Sequence, residues 1–84
     1  MKTLRKPGMK IRKMLAENIV YYRHSHNISQ EKLAEICGLH RTYIGSVERC
    51  ERNVTLSTLE AIATALNTSV PQLLTKRKSK NDAR

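Results

Sequence analysis

The chain has 84 residues, a formal net charge of +9, no Trp or Phe, and a hydrophobic fraction of 39%. This size favours one domain, whose core has to be built from Leu, Ile, Val and Ala, as in a small helical fold. No apolar run approaches the roughly 18 residues of a membrane span, and no apolar signal-peptide segment follows the basic N-terminus, so we expect a cytoplasmic protein without a membrane partner.

The basic excess lies at the two ends of the chain. Six basic residues fall within 1–13 and five within 76–84, whereas 14–75 holds five basic residues against six glutamates. We expect a flexible basic arm at 1–8, a folded domain at 9–75 and a disordered basic tail at 76–84. Basic tails are often only solvated, so the charge favours nucleic-acid binding without establishing it.

A short polar break separates the first two predicted helices. Apolar residues recur at helical spacing from about 9 to 25, and His26-Asn27 ends this first helix. Ser29 then stands as the N-cap of a second helix that carries an apolar stripe. That helix stops at Gly38, a residue suited to a left-handed C-terminal cap.

Three further helices are predicted downstream. Only one residue separates the glycine from the third segment, HRTYIGSVER at residues 40–49. After a polar loop, Thr55 caps a fourth helix that ends at Asn67. Ser69, with Pro71 in the first turn, opens a short fifth helix. Because no segment shows strand alternation, the sequence predicts an all-α fold.

The cysteines and the other reactive residues form no catalytic or metal-binding pattern. Cys37 and Cys50 lack the paired CxxC spacing of a zinc site, and two cysteines are too few for a disulfide scaffold. We expect two reduced thiols, with Cys37 in the core. No nucleophile–base set, no paired acids and no Gly-rich phosphate loop stand out, so no enzyme activity, metal or cofactor is expected.

The second and third helices, joined by a tight turn with a glycine, form the signature of a helix-turn-helix. The outward face of the third helix is predicted to hold Arg41, Thr42 and Ser46, with Tyr43 at its edge. An arginine donates two hydrogen bonds to guanine O6 and N7 in the major groove, and a threonine contacts a base edge or a thymine methyl. Tyr43 can reach a phosphate, and His40 can supply an N-cap or a phosphate contact. The ordinary alternative is an αα-hairpin with a polar surface.

The segment SQEKLAEICGLHRTYIGSVER, residues 29–49, resembles the phage-repressor and Cro-type (Xre) helix-turn-helix family. The upstream AENIVYYR and the downstream TLSTLEAIATALN extend the resemblance to roughly residues 9–75. Within that family, HRTYIG followed by ERCERNVT is most similar to the controller proteins of restriction–modification systems. The resemblance implies a compact five-helix, lambda-repressor-like domain with the helix-turn-helix at helices 2 and 3.

The resemblance also implies roles for individual residues. Those expected to read bases are Arg41, Thr42 and Ser46, with Tyr43 at the base or backbone level, and those expected to hold phosphates are Gln30, Arg52 and Asn53. Arg23 and Glu48 match a pair that forms a buried salt bridge between the first helix and the recognition helix. The fifth helix matches a segment through which such proteins often dimerise, so Val70, Leu73 and Leu74 are expected at a dimer interface.

Two residues depart from the family pattern. Gly45 weakens the recognition helix by up to about 1 kcal/mol relative to Ala, while it permits close approach of the backbone to DNA. Cys50 stands where many relatives have Gly, so a different turn is expected there.

Together these features predict a homodimeric, sequence-specific transcriptional regulator. Its partner is double-stranded DNA, expected as a palindromic operator in its own promoter, with RNA polymerase as a further candidate partner. A phage-type repressor and the antitoxin of a toxin–antitoxin pair are related alternatives, and an RNA- or protein-binding helical module is a more distant one. The sequence gives no information on the operator, the regulated genes or the sign of regulation.

Overall fold

The computed structural model of the chain describes residues 8–77. Within this range all regular structure is helical, in the elements α1 (Met9–Ser25), α2 (Gln30–Cys37), α3 (Arg41–Glu48), α4 (Leu56–Ala65) and α5 (Val70–Leu73). The prediction of an all-α, five-helix fold is confirmed. Most of the expected basic arm and tail, residues 1–7 and 78–84, lies outside the described residues. None of the helices in 8–77 is long and apolar enough to cross a membrane.

Helices α2, α4 and α5 begin where a side chain satisfies a free N–H group of the first turn. Ser29 accepts a hydrogen bond from the Lys32 N–H at 2.9 Å, and Thr55 caps α4 in the same way. Ser69 and Gln72 form a reciprocal capping box at the start of α5. These caps are local in sequence, and for that reason the starts of α2, α4 and α5 were predictable.

The helices end at residues with left-handed backbone. Gly38, after α2, has φ +70°, and Asn27 and Asn67, after α1 and α4, both have φ +56°. Glycine and asparagine are the residues that adopt this conformation most readily. The turns after α2 and α4 bring consecutive helices into contact, α2 with α3 and α4 with α5.

Every helix contributes to one core. The six largest fully buried side chains come from α1 to α5 and the residue after α4, and they are Ile19, Leu33, Ile44, Ile62, Leu66 and Leu73. Helix α3 packs against both α2 and α1. The orientation of α3 is therefore set by two neighbours, and its remaining side is left for the solvent or a ligand.

The fifth helix is part of this core, which corrects the sequence-based expectation for it. Leu73 is 0% exposed, and Val70 and Leu74 are half-buried against the same cluster. Leu73 therefore packs within its own chain, whereas the placement of Val70 and Leu74 at a dimer interface stays a prediction. A helix of four residues cannot hold itself together and is ordered by docking its apolar side chains.

Asn18 fastens the end of α5 to α1. Its side chain is buried (3% exposed), and its Nδ2 donates to the carbonyl oxygens of Leu73 at 2.8 Å and Thr75 at 3.0 Å. The Leu73 carbonyl stands at the end of α5, where a helix has no backbone donor for it, and the Thr75 carbonyl lies two residues beyond. A polar residue in the apolar stripe of α1 thus has a structural role.

Candidate nucleic-acid interface

The turn between α2 and α3 is built from backbone hydrogen bonds around Gly38. The N–H of Gly38 donates to the Glu35 carbonyl at 3.2 Å, and the N–H of Leu39 donates to the Ala34 carbonyl at 2.8 Å. Leu39 also packs against the core. The first turn of α3 is consequently fixed in position relative to α2, with its residues projecting at the end of the motif.

Arg41 and Thr42 form the exposed first turn of α3. Both are exposed, and neither side chain has a hydrogen-bond or ion-pair partner among residues 8–77. His40 precedes them as the N-cap residue and is exposed, but its imidazole makes no capping hydrogen bond. The structure therefore brings His40, Arg41 and Thr42 together at one free end of α3, with their donors and acceptors directed to the solvent.

Tyr43 and the loop after α3 form the edge of the same surface. Tyr43 is half-buried against the core, and the Arg52 guanidinium carbon lies 5.3 Å from the centre of its ring. Arg52 and the adjacent Asn53 are both exposed. The loop thus places Arg52, which follows Tyr43 by nine residues in the chain, against the side of α3.

Ser46 does not lie on the exposed face where the sequence predicted it. It is 5% exposed, and its hydroxyl donates to the Tyr43 carbonyl at 2.7 Å while it accepts from the Arg52 Nε at 3.0 Å. The loop folds back over the second turn of α3, and the Glu51 N–H donates to the Ser46 carbonyl at 2.9 Å. The helical spacing places Ser46 beside Thr42, but the loop covers Ser46 and leaves Thr42 free.

A buried ion pair holds α3 against α1. Arg23 donates to Glu48 through Nε at 2.8 Å and through Nη2 at 3.1 Å, and the two side chains are only 11% and 7% exposed. The Arg23 Nη1 donates to the Ile28 carbonyl at 3.1 Å. The two parallel hydrogen bonds fix direction as well as distance, so the last turn of α3 is tied to α1 and the chain after it.

Gln30 joins this network from α2. Its Nε2 donates to Glu48 Oε1 at 2.8 Å, and the residue is half-buried. One amide hydrogen is therefore used inside the protein, and the second is left for a ligand such as a phosphate.

Gly45 serves the packing of the motif itself. A Cβ at this position would lie 3.2 Å from Arg49 Nη1 and 3.7 Å from Gln30 Oε1, and the residue is buried. The absence of a side chain at Gly45 thus leaves room for the Arg49 and Gln30 side chains, and the expected close approach of its backbone to DNA stays a prediction.

Residues 19–73 match the family model HTH_3, described as helix-turn-helix. The chain belongs to the helix-turn-helix family. It is 68% identical over 74 residues, 88% of both chains, to the control protein C.SmaI of Serratia marcescens.

Two solved structures show the same helix-turn-helix arrangement. A hypothetical transcription factor from Neisseria superposes with a TM-score of 0.80 at 35% identity, covering 100% of this chain and 98% of that one. The restriction-modification controller protein C.AhdI from Aeromonas hydrophila superposes with a TM-score of 0.71 at 37% identity, covering 74% of this chain and 94% of that one. These superpositions show that the chain shares its fold with both structures.

The cysteines lie outside the exposed end of the helix-turn-helix. Cys37 is half-buried between α2 and α4, where its Sγ donates to the Ala61 carbonyl at 3.6 Å, and burial raises the pKa of its thiol. Cys50 follows α3 with φ +65°, and its carbonyl accepts from Arg12 Nη1 at 3.2 Å. The turn there keeps the left-handed backbone that a glycine would adopt, although its residue is a cysteine.

Proposed function

We propose that this chain is a DNA-binding transcriptional regulator of the restriction–modification controller type, which binds a palindromic operator as a homodimer. The observation that carries the proposal is the exposed first turn of α3, where Arg41 and Thr42 have no partner within residues 8–77. The identity of 68% to a control protein supports the controller type.

In this proposal the first turn of α3 enters the major groove. Arg41 donates to guanine O6 and N7, and Thr42 contacts a base edge or a thymine methyl. Contacts to phosphates fix the register of the protein on the duplex, and the residues placed to make them are Gln30, His40, Tyr43, Arg52 and Asn53. The buried pair between Arg23 and Glu48 keeps α3 at the angle that these contacts need.

The second copy binds, in this proposal, at an apolar surface beside the α3–α4 loop. Ile11, Val54, Leu56 and Leu74 line a cavity of about 220 Å³ there, and Leu56 is 75% exposed at the start of α4. Arg52 and Asn53 line the same cavity. A two-fold axis at this surface would place the two loops side by side and the two α3 helices on either side of them. Half-sites about 34 Å apart, one turn of DNA, suit such a dimer.

The experiment that tests the proposal selects duplexes from a random library on the full chain. We expect enrichment of an inverted repeat with half-sites about one helical turn apart. A selection that returns single, unrepeated sites would contradict the dimer, and a selection without enrichment would contradict sequence-specific binding.

Leu56→Asp tests the proposed dimer surface. Leu56 has little contact with its own core, so the variant is expected to fold, to sediment as a monomer and to bind the selected repeat more weakly. Thr64→Asp, an exposed position on the same helix away from the cavity, is the matched control and is expected to stay dimeric. If Leu56→Asp remains dimeric, the dimer interface lies on another surface of the protein.

A further inference from the structure

We infer that Ser46 is a positioning residue, whose buried hydroxyl orients the Arg52 guanidinium toward DNA. The inference rests on the proposed function, and it gives a role in binding to a side chain that is itself covered. The Ser46 side chain is 5% exposed, so it can act on DNA only through a neighbour.

The hydroxyl of Ser46 has a fixed direction. It donates its single hydrogen to the Tyr43 carbonyl at 2.7 Å, which leaves the oxygen lone pairs to accept from Arg52 Nε at 3.0 Å. A hydroxyl whose hydrogen is already committed is an acceptor of defined orientation. Ser46 therefore selects one direction of approach for the guanidinium.

Arg52 has a second contact and an unused charge. Its guanidinium carbon lies 5.3 Å from the centre of the Tyr43 ring, a distance at which an arginine is attracted to the aromatic face. No carboxylate pairs with it among residues 8–77, and the adjacent Glu51 accepts instead from Arg49 Nε at 3.2 Å. The terminal Nη groups and the full positive charge of Arg52 are left for a ligand outside the protein.

The arrangement reduces the cost of ordering Arg52 on binding. A long side chain on a loop samples many rotamers, and fixing it in a complex weakens affinity by roughly two- to tenfold. In this chain, Ser46 accepts a hydrogen bond from Nε and the Tyr43 ring contacts the guanidinium, so the Arg52 side chain is largely ordered before DNA binds. The ligand that suits two free Nη groups is an anionic or acceptor-rich one, a phosphate oxygen or the acceptor edge of a base.

The test compares Ser46→Ala, Arg52→Ala and the double variant with the full wild-type chain. Affinity is measured for the selected duplex and for a random-sequence duplex of equal length, together with thermal unfolding. Ser25→Ala is the matched control, since the Ser25 hydroxyl also donates to a helix carbonyl, that of Tyr21 at 2.8 Å, but holds no arginine. The Arg52 Nε–H resonance in NMR spectra of the DNA-free proteins reports the contact directly.

We expect Ser46→Ala to weaken binding of the selected duplex by roughly two- to tenfold. In the Arg52→Ala background, the same substitution is expected to cause no further loss of affinity. Ser46→Ala is also expected to shift the Nε–H resonance of Arg52. Ser25→Ala is expected to bind like the wild type. An equal loss from Ser46→Ala with and without Arg52 would show a role through something other than the arginine. Unchanged affinity in Ser46→Ala, alongside a loss in Arg52→Ala, would also overturn the inference.

Two further outcomes separate this inference from the proposed function. If Arg52→Ala binds both duplexes like the wild type, Arg52 does not contact DNA, and the inference fails while sequence-specific binding stands. If the wild-type chain prefers no duplex, the proposed function fails and the inference fails with it.

Discussion

Cys50 occupies a backbone conformation that ordinarily selects glycine. Its φ of +65° lies in the left-handed region, where an L-residue with a Cβ is destabilised by roughly 1–2 kcal/mol. The position is nevertheless fixed from two sides, because the Cys50 N–H donates to the Val47 carbonyl at 3.0 Å and its own carbonyl accepts from Arg12. The surrounding contacts thus impose the turn on a residue that does not favour it.

Replacing this cysteine with glycine is expected to stabilise the protein. Cys50→Gly removes the energetic cost of the left-handed backbone. Glycine also raises the conformational entropy of the unfolded chain, which offsets part of this gain. A net increase of about 0.5–1 kcal/mol in the free energy of unfolding is therefore predicted. Urea denaturation measures it, with Asn67→Gly as a control whose gain is expected to be smaller because asparagine tolerates the same φ. A loss of stability in Cys50→Gly would show that the side chain packs more tightly than its half-exposed position indicates.

Glu48 is the residue on which the orientation of α3 depends most. Its carboxylate accepts from Arg23 twice and from Gln30 once, at an exposure of 7%. Glu48→Ala leaves the buried arginine without a carboxylate, with only the Ile28 carbonyl as a partner, and is predicted to lower the free energy of unfolding by about 3–5 kcal/mol. Thermal unfolding without DNA measures this, and Glu51→Ala, which breaks only an exposed pair, is expected to change stability by less than about 1 kcal/mol. Similar melting temperatures for the two variants would contradict the role of the buried pair.

At the scale of elements, α5 shows how a short helix is kept in place. Four residues are too few for a stable isolated helix. Leu73 in the core, the capping box at Ser69, and the Asn18 side chain at its last carbonyls supply what the helix lacks. Removing any one of these is expected to loosen the segment before the rest of the domain.

Asn18→Ala tests this account of α5. The variant leaves the carbonyls of Leu73 and Thr75 without their donor, and a destabilisation of about 1–3 kcal/mol is predicted. Hydrogen exchange of the amides in 70–75 is expected to accelerate more than exchange in α2 or α3. Glu17→Ala, at the exposed neighbouring position, is the control and is expected to leave the exchange pattern unchanged. Uniform acceleration across the domain would show that Asn18 supports the whole core rather than α5.

The elements themselves were predictable from the sequence because their signals are local. Ser29, Gly38 and Thr55 mark helix ends through hydrogen bonds and dihedral angles within a few residues. The roles of Asn18 and Ser46 were not predictable in this way. Asn18 bonds a carbonyl 55 residues away, and Ser46 is covered by a loop whose path depends on tertiary packing.

The whole molecule combines a folded body near neutrality with basic ends. Residues 14–75 carry five basic side chains against six glutamates, and the exposed cations of the described ends include Lys10, Lys13, Lys76 and Arg77. Arg41 and Arg52 are therefore the arginines of the body that are free of carboxylates on the proposed interface. Discrimination between sequences is expected to depend on these few side chains, and general attraction to DNA on the ends.

The burial of Leu73 in α5 is the feature that the sequence predicted least well. An apolar residue in a short terminal helix serves equally well for the core or for a partner, and the spacing of Leu73 cannot distinguish the two. Only the folded chain shows that Leu73 is buried while Leu56 is exposed. The exposure of Arg41 and Thr42 depended less on tertiary packing, because both lie in a first turn of α3 that no loop covers.

The central claim, that the first turn of α3 reads bases, is tested most directly by the affinity of Arg41→Ala for two duplexes. The variant and the wild type are titrated with the selected repeat and with random-sequence DNA at the same salt concentration. We predict a loss of about 1–3 kcal/mol per arginine on the selected repeat and a much smaller loss on random DNA. Equal losses of affinity on the two duplexes would show that Arg41 contacts a phosphate rather than a base, and would contradict the claim.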